Sequence, residues 1–163
     1  RVVSSYLHTM SHPSMRKVVK NTMRLWNSDI SFKKFIEFLE KVDINSCDPH
    51  YAQQKKQYEE NGFSFDRILK LEKLDDEIQS LNRLLNTNFD LVGISSKHHI
   101  EKDFLAVGSF IDKKYSKVIK AVPPYDRFYN SELINRVSTI YSKDLLAYNY
   151  NYTDFLNTIN SGN

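Results

Sequence analysis

Arg1 and Ser4, at the beginning of the chain, have the spacing of a phosphate-binding pair. They lie three positions apart in RVVSSY, and on a helix this spacing places both side chains on one side. Arginine offers a planar fork of N–H donors and serine a short, rotatable hydroxyl, which together suit the oxygens of a terminal phosphate. The pattern therefore predicts an anion site at Arg1 and Ser4.

A second group of candidate residues follows an apolar run in the middle of the chain. The run Ile68–Leu71 has the length of a strand, and the spacing of apolar residues in Asp75–Leu85 predicts a helix after it. Ligands of open α/β sheets bind outside the carboxyl ends of strands, so Lys70, Glu72 and Lys73 are candidates for the edge of a site. An ordinary strand and helix without a ligand explains the same pattern.

Helical periodicity elsewhere predicts the elements that must position these residues. Ser31 is placed to cap one helix, and Asn130 or Ser131 another. Between them, the segment Asp43–Gly62 has weak periodicity and many polar side chains, which is typical of a functional loop or of disorder. The predicted helices are Val2–Met10, one from Ser14 to Trp26, Phe32–Val42, Ser131–Leu146 and one between Ile100 and Tyr115.

The composition is that of a globular chain with one core. The chain has 163 residues, of which 40% are hydrophobic and 13% aromatic, and this length suits one domain. The net charge is +3, and the sequence contains no long block of like charges. No apolar run reaches the ~20 residues that span a bilayer. Cys47 is the one cysteine, which excludes an internal disulfide. Because the chain begins with Arg1 rather than Met, we expect a piece of a longer protein.

Five motifs occur in a recognisable order. They are R-x-x-S-x-Y at the start, FKKFIEFLEKV, DPHYAQQ, FDRILKLEKL and FYNSELINRVSTIYSKDLLAYNY. In this order they resemble the family-2 sulfotransferases, the carbohydrate sulfotransferase type and its bacterial relatives. The resemblance implies an α/β fold of the P-loop-kinase-like sulfotransferase type, present here as a mostly helical C-terminal portion with few strands, and a single partial domain over 1–163.

The resemblance also implies the cofactor and its ligands. In the family, the first motif holds the 3′-phosphate of 3′-phosphoadenosine 5′-phosphosulfate (PAPS), which assigns that role to Arg1 and Ser4 and a packing role to Tyr6. Lys70 and Glu72 match the K-L-E segment, which passes the adenine side of the cofactor in other sulfotransferases.

Two later motifs match with substitutions. Asp48 and His50 match D-x-H-W, with Tyr51 in place of the tryptophan, whereas Tyr141, Asp144 and Tyr150 match the closing motif with Tyr148 in place of its phenylalanine. The strand, loop and helix that cradle the 5′-phosphosulfate in the family have no counterpart in this sequence. We therefore expect the sulfuryl-binding part to lie outside it and this piece alone to be inactive.

His50 is the candidate general base. Transfer of a sulfuryl group to a hydroxyl requires a base near the hydroxyl proton, and His50 lies in the polar loop near Asp48 and Glu59. A histidine that only contacts substrate or fixes the loop explains its position equally well. The adjacent His98 and His99 diverge on any regular element, so no metal is assigned.

The sequence thus predicts a PAPS-dependent sulfotransferase that acts on an acceptor hydroxyl of a carbohydrate, without nucleic acid as a partner. The alternative is a non-enzymatic helical module for protein interaction or nucleic-acid binding, suggested by the basic face of Arg16, Lys17, Lys20 and Arg24. For localisation, the resemblance implies the cytoplasm in a bacterium and the Golgi membrane in a eukaryote. The acceptor's identity and the oligomeric state stay open at this level.

Overall fold

The computed structural model of the protein describes residues 1–90, 106–120 and 122–151. These residues fall into two compact units, one formed by 1–56 with 106–151 and the other by 57–90. Each unit is described by itself.

The first unit is built from helices joined by irregular segments. Its helices are α1 (Val2–Ser11), α2 (Pro13–Thr22), α3 (Phe32–Leu39), α6 (Tyr115–Val118), α7 (Ser131–Ile140) and α8 (Ser142–Ala147), with a 3₁₀ turn at Tyr125–Phe128. Local signals explain two of the starts. The Ser31 hydroxyl accepts a hydrogen bond from the Lys34 backbone at 3.3 Å, and Asn130 Oδ1 accepts one from the Leu133 backbone at 2.9 Å. Both predicted caps are therefore confirmed.

The core of this unit is centred on Tyr6, whose predicted packing role is confirmed. Its ring is fully buried and contacts the rings of Phe32 and Phe35, each at a centroid distance of 5.6 Å, and that of Phe128 at 6.3 Å. Its hydroxyl donates to the Ile30 carbonyl at 2.9 Å, which satisfies the polar atom of this buried ring. Packing around Tyr6 thus fixes α1 against α3 and orients the remaining face of α1.

The second unit contains α4 (Gln57–Glu60), a 3₁₀ turn at Leu71–Lys73 and α5 (Leu74–Leu85). The predicted helix over Asp75–Leu85 is confirmed, with three acidic residues in its first turn, as its positive N-terminal dipole favours. The predicted strand Ile68–Leu71 is wrong. Leu71 begins the 3₁₀ turn, and the Ile68 and Leu71 residues are 46% and 77% exposed. Within the described residues no strand pairs with this run, so its backbone has no ladder to join.

Other predicted boundaries differ from the structure. The second helix ends at Thr22, because Arg24 adopts a left-handed backbone (φ 52°), and Trp26 beyond it is fully exposed. The third helix ends at Leu39 rather than Val42. The helix expected between Ile100 and Tyr115 lies in part outside the described residues, and its described part is irregular up to the start of α6.

The predicted helix Ser131–Leu146 is split into α7 and α8. The break lies at Tyr141, whose backbone leaves the helical region (φ −105°, ψ 24°). Asp144, which belongs to the site described next, lies in α8 beyond this break.

Of the α/β fold that the sequence predicted, the described residues thus show the helices but no sheet. An isolated antiparallel bridge joins Ser31 to Lys114, and the described residues include no extended strand. No helix of the described chain is long and apolar enough to cross a membrane.

Candidate active site

A buried carboxylate on α8 connects the first residue of the chain with the loop before α4. Asp144, on α8, is 6% exposed. Its oxygens accept hydrogen bonds from the Gln54 backbone at 2.9 and 3.0 Å and from the Lys55 backbone at 2.8 Å, and the Arg1 guanidinium lies 3.4 Å away. Arg1 also donates to the Ala52 carbonyl. The carboxylate is therefore paired with two backbone donors and one cation, the condition under which a buried charge is tolerated.

Two further hydrogen bonds attach the loop before Gln54 to the helices. Tyr141 donates its hydroxyl proton to the Tyr51 carbonyl at 2.6 Å, and Ser5 on α1 donates to the His50 carbonyl at 2.5 Å. Burial raises the pKa of the Tyr141 phenol above its usual range, so the hydroxyl remains a donor at physiological pH. We call the group formed by Arg1, Ser5, the loop 50–55, Tyr141 and Asp144 the polar junction.

His50 is held at the surface beside this junction by Asp48. The ring Nδ1 lies 2.7 Å from Asp48 Oδ1, and the His50 backbone N–H lies 3.0 Å from the same oxygen. Burial acts to raise the pKa of the Asp48 carboxyl, but hydrogen bonds from the backbone and ring of His50 outweigh it and lower the pKa. An ionised carboxylate can only accept, so Nδ1 carries the proton and Nε2 is the basic nitrogen of the neutral ring. The His50 side chain is 50% exposed, which leaves it accessible to a substrate.

The predicted phosphate pair lies on the exposed side of α1. Arg1 is the N-cap residue and Ser4 lies in the first turn, where both are exposed. The first turn contains no acidic residue, and no side chain caps it. The sequence prediction did not include the contact of the Arg1 guanidinium with Asp144, which lies 143 positions away.

Lys70, Cys47, His98 and His99 are the remaining residues that the sequence analysis considered. Lys70 belongs to the second unit, where its carbonyl accepts the Lys73 backbone hydrogen bond at 3.0 Å that forms the 3₁₀ turn. Burial raises the pKa of the Cys47 thiol, which disfavours the thiolate form that reacts as a nucleophile. His98 and His99 lie outside the described residues.

Sequence reasoning missed three residues of this region. It matched Asp144 to a motif without a role, and it assigned nothing to Ser5 or His8. The ring of His8 stacks on that of His50 at a centroid distance of 3.9 Å. The available signal was spacing: Ser5 and His8 lie three positions apart, hence on neighbouring positions of one helix face.

The geometry brings three of the five motifs together: the first through Arg1 and Ser5, the third through the loop from Asp48, and the last through Tyr141 and Asp144. The model of the sulfotransferase family, family 2, matches residues 1–151. The chain therefore belongs to the sulfotransferase family, whose general chemistry is the transfer of a sulfuryl group. No curated protein matches the chain, and no solved structure does.

Proposed function

We propose that the protein transfers the sulfuryl group of PAPS to a hydroxyl group of a carbohydrate acceptor. The observation that carries this proposal is the polar junction, which joins the family's 3′-phosphate motif, its D-x-H motif and its closing motif through direct hydrogen bonds. The junction thus gathers three motifs of the family around one arginine and one buried carboxylate.

In this proposal the 3′-phosphate binds at the N-terminus of α1. Backbone N–H groups and the helix dipole favour an anion there, and the first turn offers no competing acidic or capping side chain. Ser4 supplies a hydroxyl on the exposed side. A guanidinium carries five N–H donors, so the contacts of Arg1 with Asp144 and Ala52 are compatible with a further bond to a phosphate oxygen. Lys70 is assigned to the adenine side by its match to the K-L-E motif alone.

His50 acts as the general base. The acceptor oxygen attacks sulfur and forms the new S–O bond while the bond from sulfur to the 5′-phosphate oxygen breaks, releasing 3′,5′-diphosphoadenosine. The hydroxyl proton passes to His50 Nε2, the nitrogen that the contact of Nδ1 with Asp48 leaves basic. Asp48 stabilises the imidazolium that forms, as an ion partner 2.7 Å away.

The phosphate assignment is tested with Arg1→Ala in the full-length protein. We expect binding of 3′,5′-diphosphoadenosine to weaken by about 2–3 kcal/mol, the value of a charge-assisted contact, while adenosine 5′-phosphosulfate, which lacks the 3′-phosphate, is little affected. Isothermal titration calorimetry measures both. Arg127→Ala, at a surface arginine that pairs with its neighbour Asp126 at 3.6 Å, is the control. Equal weakening of both nucleotides would show that Arg1 serves another purpose.

The catalytic assignment is tested with His50→Ala in the same protein. If His50 is the base, turnover with a saccharide acceptor falls about 10²–10⁴-fold while the affinity for PAPS is unchanged. If His50 only orients the acceptor, the loss appears mainly in the acceptor KM. Wild-type turnover and KM in the variant would exclude both roles.

A further inference from the structure

Three histidine rings lie in contact beside the candidate site. His8, on α1, stacks on His50 with an interplanar angle of 18° and a centroid distance of 3.9 Å, and it contacts His12 at 4.2 Å and 37°. His8 is therefore the central ring of the three. Neither His8 nor His12 was assigned a role by the motifs, and the sulfotransferase chemistry described above uses only His50.

The Asp48 hydrogen bond alone does not fix the direction of His50 Nε2. A single bond at Nδ1 anchors one corner of the ring, but an exposed side chain can break that bond by changing its χ1 and χ2 angles, which turns Nε2 away. The half-exposed position of His50 offers little other packing to prevent this. A second flat ring at van der Waals distance removes that freedom, because turning would drive the edge of one ring into the face of the other.

The support that His8 offers is rigid because α1 is rigid. The opposite face of α1 is buried in the core through Tyr6, Leu7 and Met10. The same helix holds the backbone of His50, since Ser5 donates to the His50 carbonyl at 2.5 Å. Ser5 and His8 thus hold the carbonyl and the ring of one residue from a single helical face.

We propose that His8 is a positioning residue, which holds the plane of the His50 imidazole so that Nε2 faces the acceptor hydroxyl. This inference rests on the proposed role of His50 as the base. His8 acts through its flat ring and not as a proton carrier, so an aromatic ring without nitrogens should replace it.

The test compares His8→Ala, His8→Phe and His12→Ala in the full-length protein. The first readout is ¹³C relaxation of the His50 ring, assigned by its loss in His50→Ala. We expect the ring order parameter to fall in His8→Ala, from a value close to the ~0.85 of rigid backbone to below about 0.6. It should stay near the wild-type value in His8→Phe and in His12→Ala, the matched control that removes the other ring in contact with His8, at the C-cap of α1.

The second readout is steady-state kinetics with PAPS and a saccharide acceptor. Turnover should fall about 10- to 100-fold in His8→Ala, as expected for a misdirected catalytic group, and return to within about 3-fold of wild type in His8→Phe. An equally ordered His50 ring in His8→Ala, or turnover in His8→Phe as low as in His8→Ala, would overturn the proposal. Absence of turnover in the wild type would refute the proposed function instead, and the ring measurement, which needs no substrate, would still decide the role of His8.

Discussion

Removal of the Asp144 carboxylate tests whether the polar junction stabilises the fold. Asp144→Ala leaves the backbone N–H groups of Gln54 and Lys55, now bonded at 2.8–3.0 Å, without their acceptor. It also removes the 3.4 Å ion partner of Arg1. Hydrogen bonds to a charged group contribute about 1.5–3 kcal/mol each.

The lower end of that range applies here. The Asp144 side chain is 9% exposed, so its removal also recovers the cost of desolvating a carboxylate, which offsets part of the loss. Two backbone bonds at about 1.5 kcal/mol each then give a net loss of about 3 kcal/mol in the free energy of unfolding. For a chain of this size, that loss lowers Tm by about 6–12 °C.

Urea and thermal unfolding followed by circular dichroism measure both quantities. Asp126→Ala is the matched control, because that carboxylate is 42% exposed and its ion pair with Arg127 spans 3.6 Å, so its loss should cost less than about 0.5 kcal/mol. Asp144→Asn keeps one acceptor oxygen but turns an amide donor towards a backbone N–H. Its loss in the free energy of unfolding should therefore lie between those of Asp144→Ala and Asp126→Ala. A cost for Asp144→Ala below about 1 kcal/mol, or equal to that of the control, would refute the reasoning.

Three further predictions concern single hydrogen-bonded groups. Tyr141→Phe leaves the Tyr51 carbonyl without its 2.6 Å donor and should lower the free energy of unfolding by about 1–2 kcal/mol, measured by urea denaturation; an unchanged midpoint would contradict it. Asn130→Ala removes the cap of α7 and should cost about 1 kcal/mol, whereas Asn135→Ala, on the exposed surface of the same helix, should cost much less in the same assay. The two hydrogen bonds from Arg136, both 2.7 Å, lower the pKa of the Glu40 carboxyl, so the folded protein holds this proton less tightly than the unfolded chain. The stabilisation that the ion pair gives is thus complete above the unfolded pKa of about 4.3 and is lost as the pH falls through the lower folded pKa. Glu40→Gln should therefore lower the free energy of unfolding by about 0.5–1 kcal/mol at pH 7 and leave it unchanged at strongly acid pH. A loss that does not depend on pH would contradict this.

Local signals predicted the helices well where the determinants are local. The caps at Ser31 and Asn130 act within three residues of themselves, and the acidic first turn of α5 responds to the dipole of its own helix. The same reasoning failed at Ile68–Leu71, because a strand needs a partner that no local pattern supplies.

The sequence by itself determined the family, through the order of its motifs, and the candidate residues Arg1, Ser4 and His50. Only the tertiary structure decided that Arg1 meets Asp144 across 143 positions and that α7 and α8 separate at Tyr141. It also decided that the ring of His8 stacks on that of His50, which lies 42 positions further along the chain. The physical reason is that neighbours within one turn set the period and the caps of a helix. These long-range contacts depend instead on how the buried face of α1 packs on α3, because that packing orients the side chains on the other face of α1.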